Sequence, residues 1–287
     1  LVAFAAILYA PSTGLAGPSQ LGSAQDFAIL GHETVTNTGP TILYEDLGLS
    51  PGTSITGFFG TTANEGPGLV TGGVVHQTDA TAALALADAT AAKTNLGLLG
   101  PGTLLPADLV GLTIYPGAYT VPAGTTNLSG TLTLDGLGNA NAQWVFQMPS
   151  TLITSSGSVV NVTNTGAGAG VYWNVVSSAT LGSSSVFAGN IIALASIDFG
   201  STADILCGRA FALTGSVTMI NNLVSNNNTG QDFHEISGYG VRSDFGSYGF
   251  SGGTAGPVAV PVPGALLLVG SGLGSLLAFG RRFFSVS

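Results

Sequence analysis

Four stretches of this chain are versions of one another: TrpValPheGln at 144–147, TyrTrpAsnVal at 172–175, AsnIleIleAlaLeu at 190–194 and ArgAlaPheAlaLeu at 209–213. A second short block follows each one: ThrLeuIleThr from Thr151, AlaThrLeuGly from Ala179, SerIleAspPhe from Ser196 and SerValThrMet from Ser216. A third apolar block comes next, as SerValValAsn from Ser158, SerValPheAla from Ser185, AspIleLeu from Asp204 and AsnLeuVal from Asn222. Three short strands parted by small turn residues, recurring at a period of about 20 residues, predict an all-β chain: a three-sided parallel β-solenoid.

Strand side chains alternate between faces, so each row divides into an inward and an outward column. The first row aligns Phe146, Trp173, Ile192 and Phe211 as one interior ladder, with Met148, Val175, Leu194 and Leu213 as a second. Gln147, Asn174, Ala193 and Ala212 then face outward. In the second row Leu152, Leu181, Phe199 and Met219 point in, which leaves Thr151, Thr180, Asp198 and Thr218 as an outward ladder. Thr133, in ThrLeuThrLeu at 131–134, extends it. The third row shows Val186, Ala188, Asp204 and Leu206 outward if Phe187 and Ile205 are core, and it is the less polar face.

Composition agrees with such a fold. The chain has 287 residues, of which 44 are Gly, 7% are charged and 45% are hydrophobic, so it is not the charge-rich, apolar-poor composition of a disordered chain. Its 14 acids against 5 bases give a formal charge of −9, and no basic patch is available to neutralise phosphates. Nucleic acid is therefore excluded as a partner. Cys207 is the one cysteine, and His32, His76 and His234 are scattered without metal-ligand spacing. The expectation is a core cysteine, with no metal and no cofactor.

Residues 21–60 read as short strands parted by Gly and Pro: PheAlaIleLeu (27–30), ThrValThrAsn (34–37), AspLeuGlyLeuSer (46–50) and SerIleThrGly (54–57). The Ala-rich run 77–97 breaks the pattern. With Thr78 as N-cap, Asp79 in the first turn and Gly97 as the stop, it predicts one long helix lying along the solenoid.

The ends carry different signals. Residues 1–16 read as the apolar core of a secretory leader closing on GlyLeuAla (14–16), so the protein is expected to be exported. The solenoid is expected over 21–228 and a Gly/Ser-rich tether over 229–257. Residues 258–287 form an apolar run that ends at Arg281 and Arg282, the pattern of a membrane-spanning stop.

That tail, with Pro261-Val262-Pro263 ahead of the apolar run and Arg281-Arg282 behind it, resembles the PEP-CTERM sorting tails of exopolysaccharide-producing bacteria. The middle residue is Val262 where those tails carry Glu. The resemblance implies a sorting protease and the inner membrane as partners, transient membrane anchoring, a final place at the cell surface or outside it, and contact with exopolysaccharide.

The main body resembles the bacterial and fungal ice-binding-like family. The residues that carry the likeness are ThrValThrAsnThrGlyProThr (34–41), AspLeuGlyLeuSerProGlyThrSerIleThrGlyPhe (46–58), LeuThrIleTyrProGlyAlaTyr (112–119), TrpValPheGlnMet (144–148), SerSerAlaThrLeuGly (177–182) and GlyArgAlaPheAlaLeuThrGlySerValThrMet (208–219). The resemblance implies a discontinuous three-sided parallel β-solenoid with one long α-helix packed alongside. It also implies adsorption to ice or ordered water through a face bearing Thr-(Ala/Gly)-x-(Thr/Asn) steps. The nearest such step is Ser201-Thr202-Ala203-Asp204, where Asp replaces Thr or Asn. Thr133, Thr151, Thr180, Thr218 and Thr202 are the candidate ice-contacting residues.

Two other classes compete. A structural or adhesive surface protein on the same fold is compatible with the altered motif and the tail. An enzyme would need paired carboxylates or a carboxylate–base cluster. Asp198 and Asp204 lie close in the repeat, but Arg209 is the one basic residue between Lys93 and Arg242, and His32-Glu33 has no third member. No enzymatic activity is expected.

Overall fold

The computed structural model describes residues 21–60, 65–139, 141–165 and 169–225. The chain divides into two compact units, 1–253 and 254–287, and every described residue belongs to the first. The expected leader, tether and sorting tail lie outside the described residues.

In chain order the strands are β1 (Phe27–Gly31), β2 (Thr34–Asn37), β3 (Ile42–Tyr44), β4 (Asp46–Leu49), β5 (Ser54–Thr56), β6 (Leu69–Thr71) and β7 (Val75–Gln77). A helix, α1 (Ala80–Gly97), follows, and then β8 (Thr103–Leu104), β9 (Thr113–Ile114), β10 (Gly117–Thr120), β11 (Thr131–Asn139), β12 (Gln143–Met148), β13 (Leu152–Ile153) and β14 (Val159–Thr165). The remainder are β15 (Gly170–Val175), β16 (Ala179–Leu181), β17 (Val186–Ala193), β18 (Ile197–Phe199), β19 (Asp204–Ala212), β20 (Val217–Met219) and β21 (Leu223–Ser225).

Every pairing between these strands is parallel, and the strands sort into three sides of a solenoid. The first side runs β8-β10-β12-β15-β17-β19-β1-β4-β7. The second is a separate six-stranded sheet, β13-β16-β18-β20-β2-β5. The third runs β9-β11-β14-β17-β19-β21-β3-β6, with β17 and β19 long enough to turn the corner and serve two sides.

The stacking order is not the chain order. The first coil, β1 to β3, docks on the last, β19 to β21, so the two ends of the repeating body meet inside the stack. The chain must then travel from the β7 end to the β8 end outside the solenoid. Helix α1 does this: its 18 residues reach about 27 Å. The nine strands of the first side span about 38 Å at the spacing of a sheet, and residues 98–102 make up the rest.

Helix α1 presents Ala82, Ala85, Ala89, Ala92 and Leu96 to the sheet, a spacing of three and four residues that lines one helical face. Small side chains let the helix axis approach closely, and they pack over Phe27, Leu30, Val145, Tyr172, Ile192 and Phe211. Asp79, not Thr78, is the N-cap, accepting from the Ala82 N–H at 2.8 Å. Thr78 stands at φ +56° and donates its hydroxyl to the Gly52 carbonyl. Gly97 remains within the helix, and the left-handed turn comes at Gly100, φ +76°.

Polar clamps fix the helix in place. Lys93 Nζ donates to Asn174 Oδ1 at 2.7 Å and to the Val175 carbonyl at 2.6 Å. Asn174 donates to Gln147 Oε1, and Gln147 donates to the Leu96 carbonyl at the end of the helix. At the other end His76 lies 2.7 Å from Asp79 and 3.4 Å from Asp46.

The first-row alignment requires correction by one residue. Phe146 pairs with Trp173, their rings stacked at 4.2 Å. Trp173 then pairs with Ile191 and Ile191 with Ala210, so Ile192 and Phe211 leave the interior ladder and lie beneath the helix. Likewise Ala193 and Ala212, not Leu194 and Leu213, continue from Met148 and Val175. The reason is physical: one side of this sheet meets the solenoid interior and the other meets α1, so in β17 and β19 the helix-facing Ile192 and Phe211 are as apolar as the interior Ile191 and Ala210. Alternation, which normally sets register, is absent.

Candidate functional site

On the six-stranded side the alternation is clear. Ala179, Ile197, Val217, Val35 and Ile55 stand in register and are fully buried. The residues after them form one outward file in the order Ile153, Thr180, Asp198, Thr218, Thr36, Thr56. The residues before the buried row form a second file, with Ser196, Ser216, Thr34 and Ser54 on consecutive strands. Members of a file are about 4.8 Å apart, and the files are about 6.7 Å apart along the strands.

The strands β20, β2 and β5 thus carry a grid of six hydroxyls: Ser216 and Thr218, Thr34 and Thr36, Ser54 and Thr56. All six side chains are partly exposed. Thr34 donates to Ser216 across the join of the first and last coils at 2.9 Å. Each Thr adds a methyl beside its hydroxyl.

The grid is held from behind. Asn37, 4% exposed, donates to the Gly39 and Gly57 carbonyls at 2.6 and 2.8 Å and accepts the Thr41 hydroxyl at 2.6 Å. Those bonds tie the end of β2 to the end of β5. Gly57 needs to be glycine, since its φ is +81° and a Cβ there would collide with the Asn37 carbonyl. Asn222, also buried, donates to the Gly200 and Ala203 carbonyls at 2.8 Å each and ties the coil of β18 to that of β20. Buried, fully engaged amides of this kind restrict the backbone that positions the outward side chains.

The sequence-derived candidates separate on this frame. Thr180 and Thr218 belong to the outward file. Thr151 lies just before β13 and, by the pairing of Leu152 with Ala179, beside Ser178 rather than opposite Thr180; Ile153 takes that place. Thr133 is on the third side, paired with Thr113 and Asn161. The coil that carries β11 has no named strand on the second side, where a lone bridge from Leu128 to Thr154 stands instead, so no ladder is available for Thr133 to extend. Thr202 is exposed at the corner between β18 and β19, at φ +58°, its hydroxyl 2.9 Å from that of Ser184.

Thr36 and Thr56 escaped the sequence reading. The signal that could have found them is ThrValThr at 34–36 and SerIleThr at 54–56, the same motif as SerValThr at 216–218. Nothing in chain order places the first two beside the third.

The third side differs. Phe187 and Ile205 are interior, while Val186 and Asp204 are partly exposed at its outer surface; Ala188 and Leu206 are buried. Burial pushes the Asp204 carboxyl up to about 6, against a lowering contribution from the Leu223 N–H that it accepts at 2.8 Å. Cys207 is buried in this region, as expected of a core cysteine. Among the described residues no group of three His, Cys, Asp or Glu side chains is placed to hold a metal, and no helix is long and apolar enough to cross a membrane.

Comparison with known proteins bears on this geometry. The family model described as Ice-binding-like matches residues 29–225. An ice-binding protein of Nostoc sp. (strain HG1) is 41% identical over 268 residues, spanning 92% of this chain and 88% of that protein. The crystal structure of an ice-binding protein from the Antarctic ascomycete Antarctomyces psychrotrophicus superposes with a TM-score of 0.64 at 37% identity, covering 74% of this chain and 100% of that one. An ice-binding protein from an Antarctic biological consortium gives a TM-score of 0.62 at 35% identity, over 76% of this chain and 95% of that one.

Proposed function

Since the chain belongs to the ice-binding-like family, we propose that it binds ice, through the hydroxyl grid of β20, β2 and β5, and thereby inhibits crystal growth or recrystallisation. The observation that carries the assignment is the in-register file Thr218-Thr36-Thr56, with Ser216-Thr34-Ser54 beside it. Adsorption to a lattice needs groups at fixed, repeating positions that cost little to dehydrate. A hydroxyl bridges to ordered water at nearly the enthalpy of a direct hydrogen bond. A methyl imposes an ordered first shell. In the file Thr218-Thr36-Thr56 a parallel sheet repeats both at constant spacing with little side-chain freedom to lose, because the branched Thr side chain is stiff about χ1.

The test is direct. Ice crystals grown in the purified protein should be faceted, with a gap between melting and freezing temperatures. Thr36→Tyr should abolish both while the circular dichroism spectrum stays that of the parent, because the Tyr ring stands above the plane of its neighbours. An unmutated protein without any effect on ice would favour the structural or adhesive reading. Full activity in Thr36→Tyr would move the site to another side.

Export and sorting complete the proposal, and here the support is sequence order alone. The protein leaves the cell by the 1–16 leader, and the 258–287 tail, through Pro261-Val262-Pro263, the apolar run and Arg281-Arg282, engages the inner membrane and a sorting protease before release to the surface or matrix, where exopolysaccharide is at hand. Deleting 258–287 should change the partition of the protein between cells and medium. An unchanged partition refutes the role of the tail.

A further inference from the structure

The outward file on the second side carries one charge. Asp198 is exposed between Thr180 and Thr218, in register with both. Asp198 forms no ion pair among the described residues, and the His76 pairs with Asp46 and Asp79 lie on another side. We infer that Asp198 limits the ice-binding surface: it confines adsorption to β20, β2 and β5 and leaves Thr180 outside the working site. The inference rests on the ice-binding reading of this face.

The physical reason is dehydration. A hydroxyl enters a lattice of ordered water by exchanging one hydrogen bond for another. An exposed carboxylate holds its hydration shell far more strongly, and removing or reordering that shell costs far more than it does for a neutral group. Asp198 stands about 4.8 Å from each neighbour in the file, well within the reach of that shell. Ordered water therefore cannot extend continuously from Thr218 to Thr180. On the far side Thr180 has only Ile153 beside it in the file, since β13 is the last strand of the sheet. In its own file Thr180 is a single Thr between a carboxylate and an edge; Ser178 and Ser196 continue the neighbouring file past it, but one file without its partner offers no two-dimensional lattice. On the near side the six hydroxyls of β20, β2 and β5 form an unbroken patch, and that patch straddles the join between the last and first coils.

This makes Thr180 conditional. While residue 198 is charged, Thr180 contributes nothing; once residue 198 is neutral, the file becomes continuous from Thr56 to Thr180 and Thr180 joins it. The two positions should show strong non-additivity.

The experiment measures thermal hysteresis of the full chain at one concentration and at pH 7. Asp198→Asn removes the charge at constant shape, Asp198→Thr also restores the motif, and Asp198→Glu keeps the charge. The expected results are a gain of about twofold or more for the Asn and Thr variants, parent-like activity for Glu, and no change for Thr180→Ala in the parent. Thr180→Ala in the Asp198→Thr background should cancel part of the gain. Asp198→Asn decides the matter should the Thr variant fail to fold, which its melting curve reports. An active parent that Thr36→Tyr silences, with no gain in either neutral variant, overturns the inference and leaves the face assignment standing. Loss of activity in Thr180→Ala alone overturns it as well. A parent and neutral variants that are all inactive overturn the ice-binding reading together with the inference.

Discussion

Replacing Asp204 by Asn should stabilise the protein at neutral pH and leave it unchanged in acid. The carboxyl lies on the third side, in register with Val186, and one oxygen accepts the Leu223 N–H at 2.8 Å. Its ordinary value of 3.8 is pushed up to about 6, with burial the largest cause. A raised folded value means that the folded chain binds the proton more tightly than the unfolded chain. The stability this group contributes is thus fully present below about 4 and is lost as the pH rises through about 6. Between those limits the change amounts to about 3 kcal/mol, which for a body of this size corresponds to a shift in Tm of roughly 6–12 °C. Asn keeps an acceptor for the Leu223 N–H and never ionises. Urea melts of parent and variant at pH 7 and pH 4 give the two stabilities. The variant should be ahead by about 1–3 kcal/mol at pH 7, the range allowing for the burial cost of the amide, and the gap should close at pH 4. Equal stabilities at both values, or a gap that widens in acid, would refute the account of Asp204 as a charge held in a place that disfavours it.

Lys93→Met should cost about 1–3 kcal/mol at pH 7, because Asn174 Oδ1 is buried and loses the ammonium that it accepts from. Burial lowers the Lys93 amine to about 8 from 10.5, so the unfolded chain holds the proton more tightly between those values and the parent gains stability as pH rises across them; melts at pH 7 and pH 10 should show the gap between parent and variant widening, and a narrowing gap would refute this. Asn37→Ala removes the bonds to the Gly39 and Gly57 carbonyls and to the Thr41 hydroxyl, and should cost about 2–3 kcal/mol. Hydrogen exchange should then accelerate first in β5, and uniform acceleration across the solenoid would argue that Asn37 does not act locally.

The sequence alone determined the solenoid. Short apolar blocks at a constant period, with small residues between them, cannot each bury a face without stacking on a neighbour, and that requirement is written into the stretch from Trp144 to Val224 itself. It also determined the second side, where Val217 and Ile197 alternate with Thr218 and Asp198 because water lies on one face only. The helix was legible from its Ala content, and its role along the solenoid followed from small side chains. Three things were decided only by tertiary structure. The register of the first side depended on α1, which turns an outward column into a second core and erases the period that would place Ile192 and Phe211. The cap moved from Thr78 to Asp79 because Thr78 takes a left-handed conformation and spends its hydroxyl on Gly52. And the site itself arose from docking the first coil on the last: Thr36 and Thr218 are 182 residues apart in the chain and adjacent in the sheet. A repeat signals which residues face outward within its own coil, but the order of coils in the stack is set by which exposed edges find each other, and local sequence carries no trace of that choice.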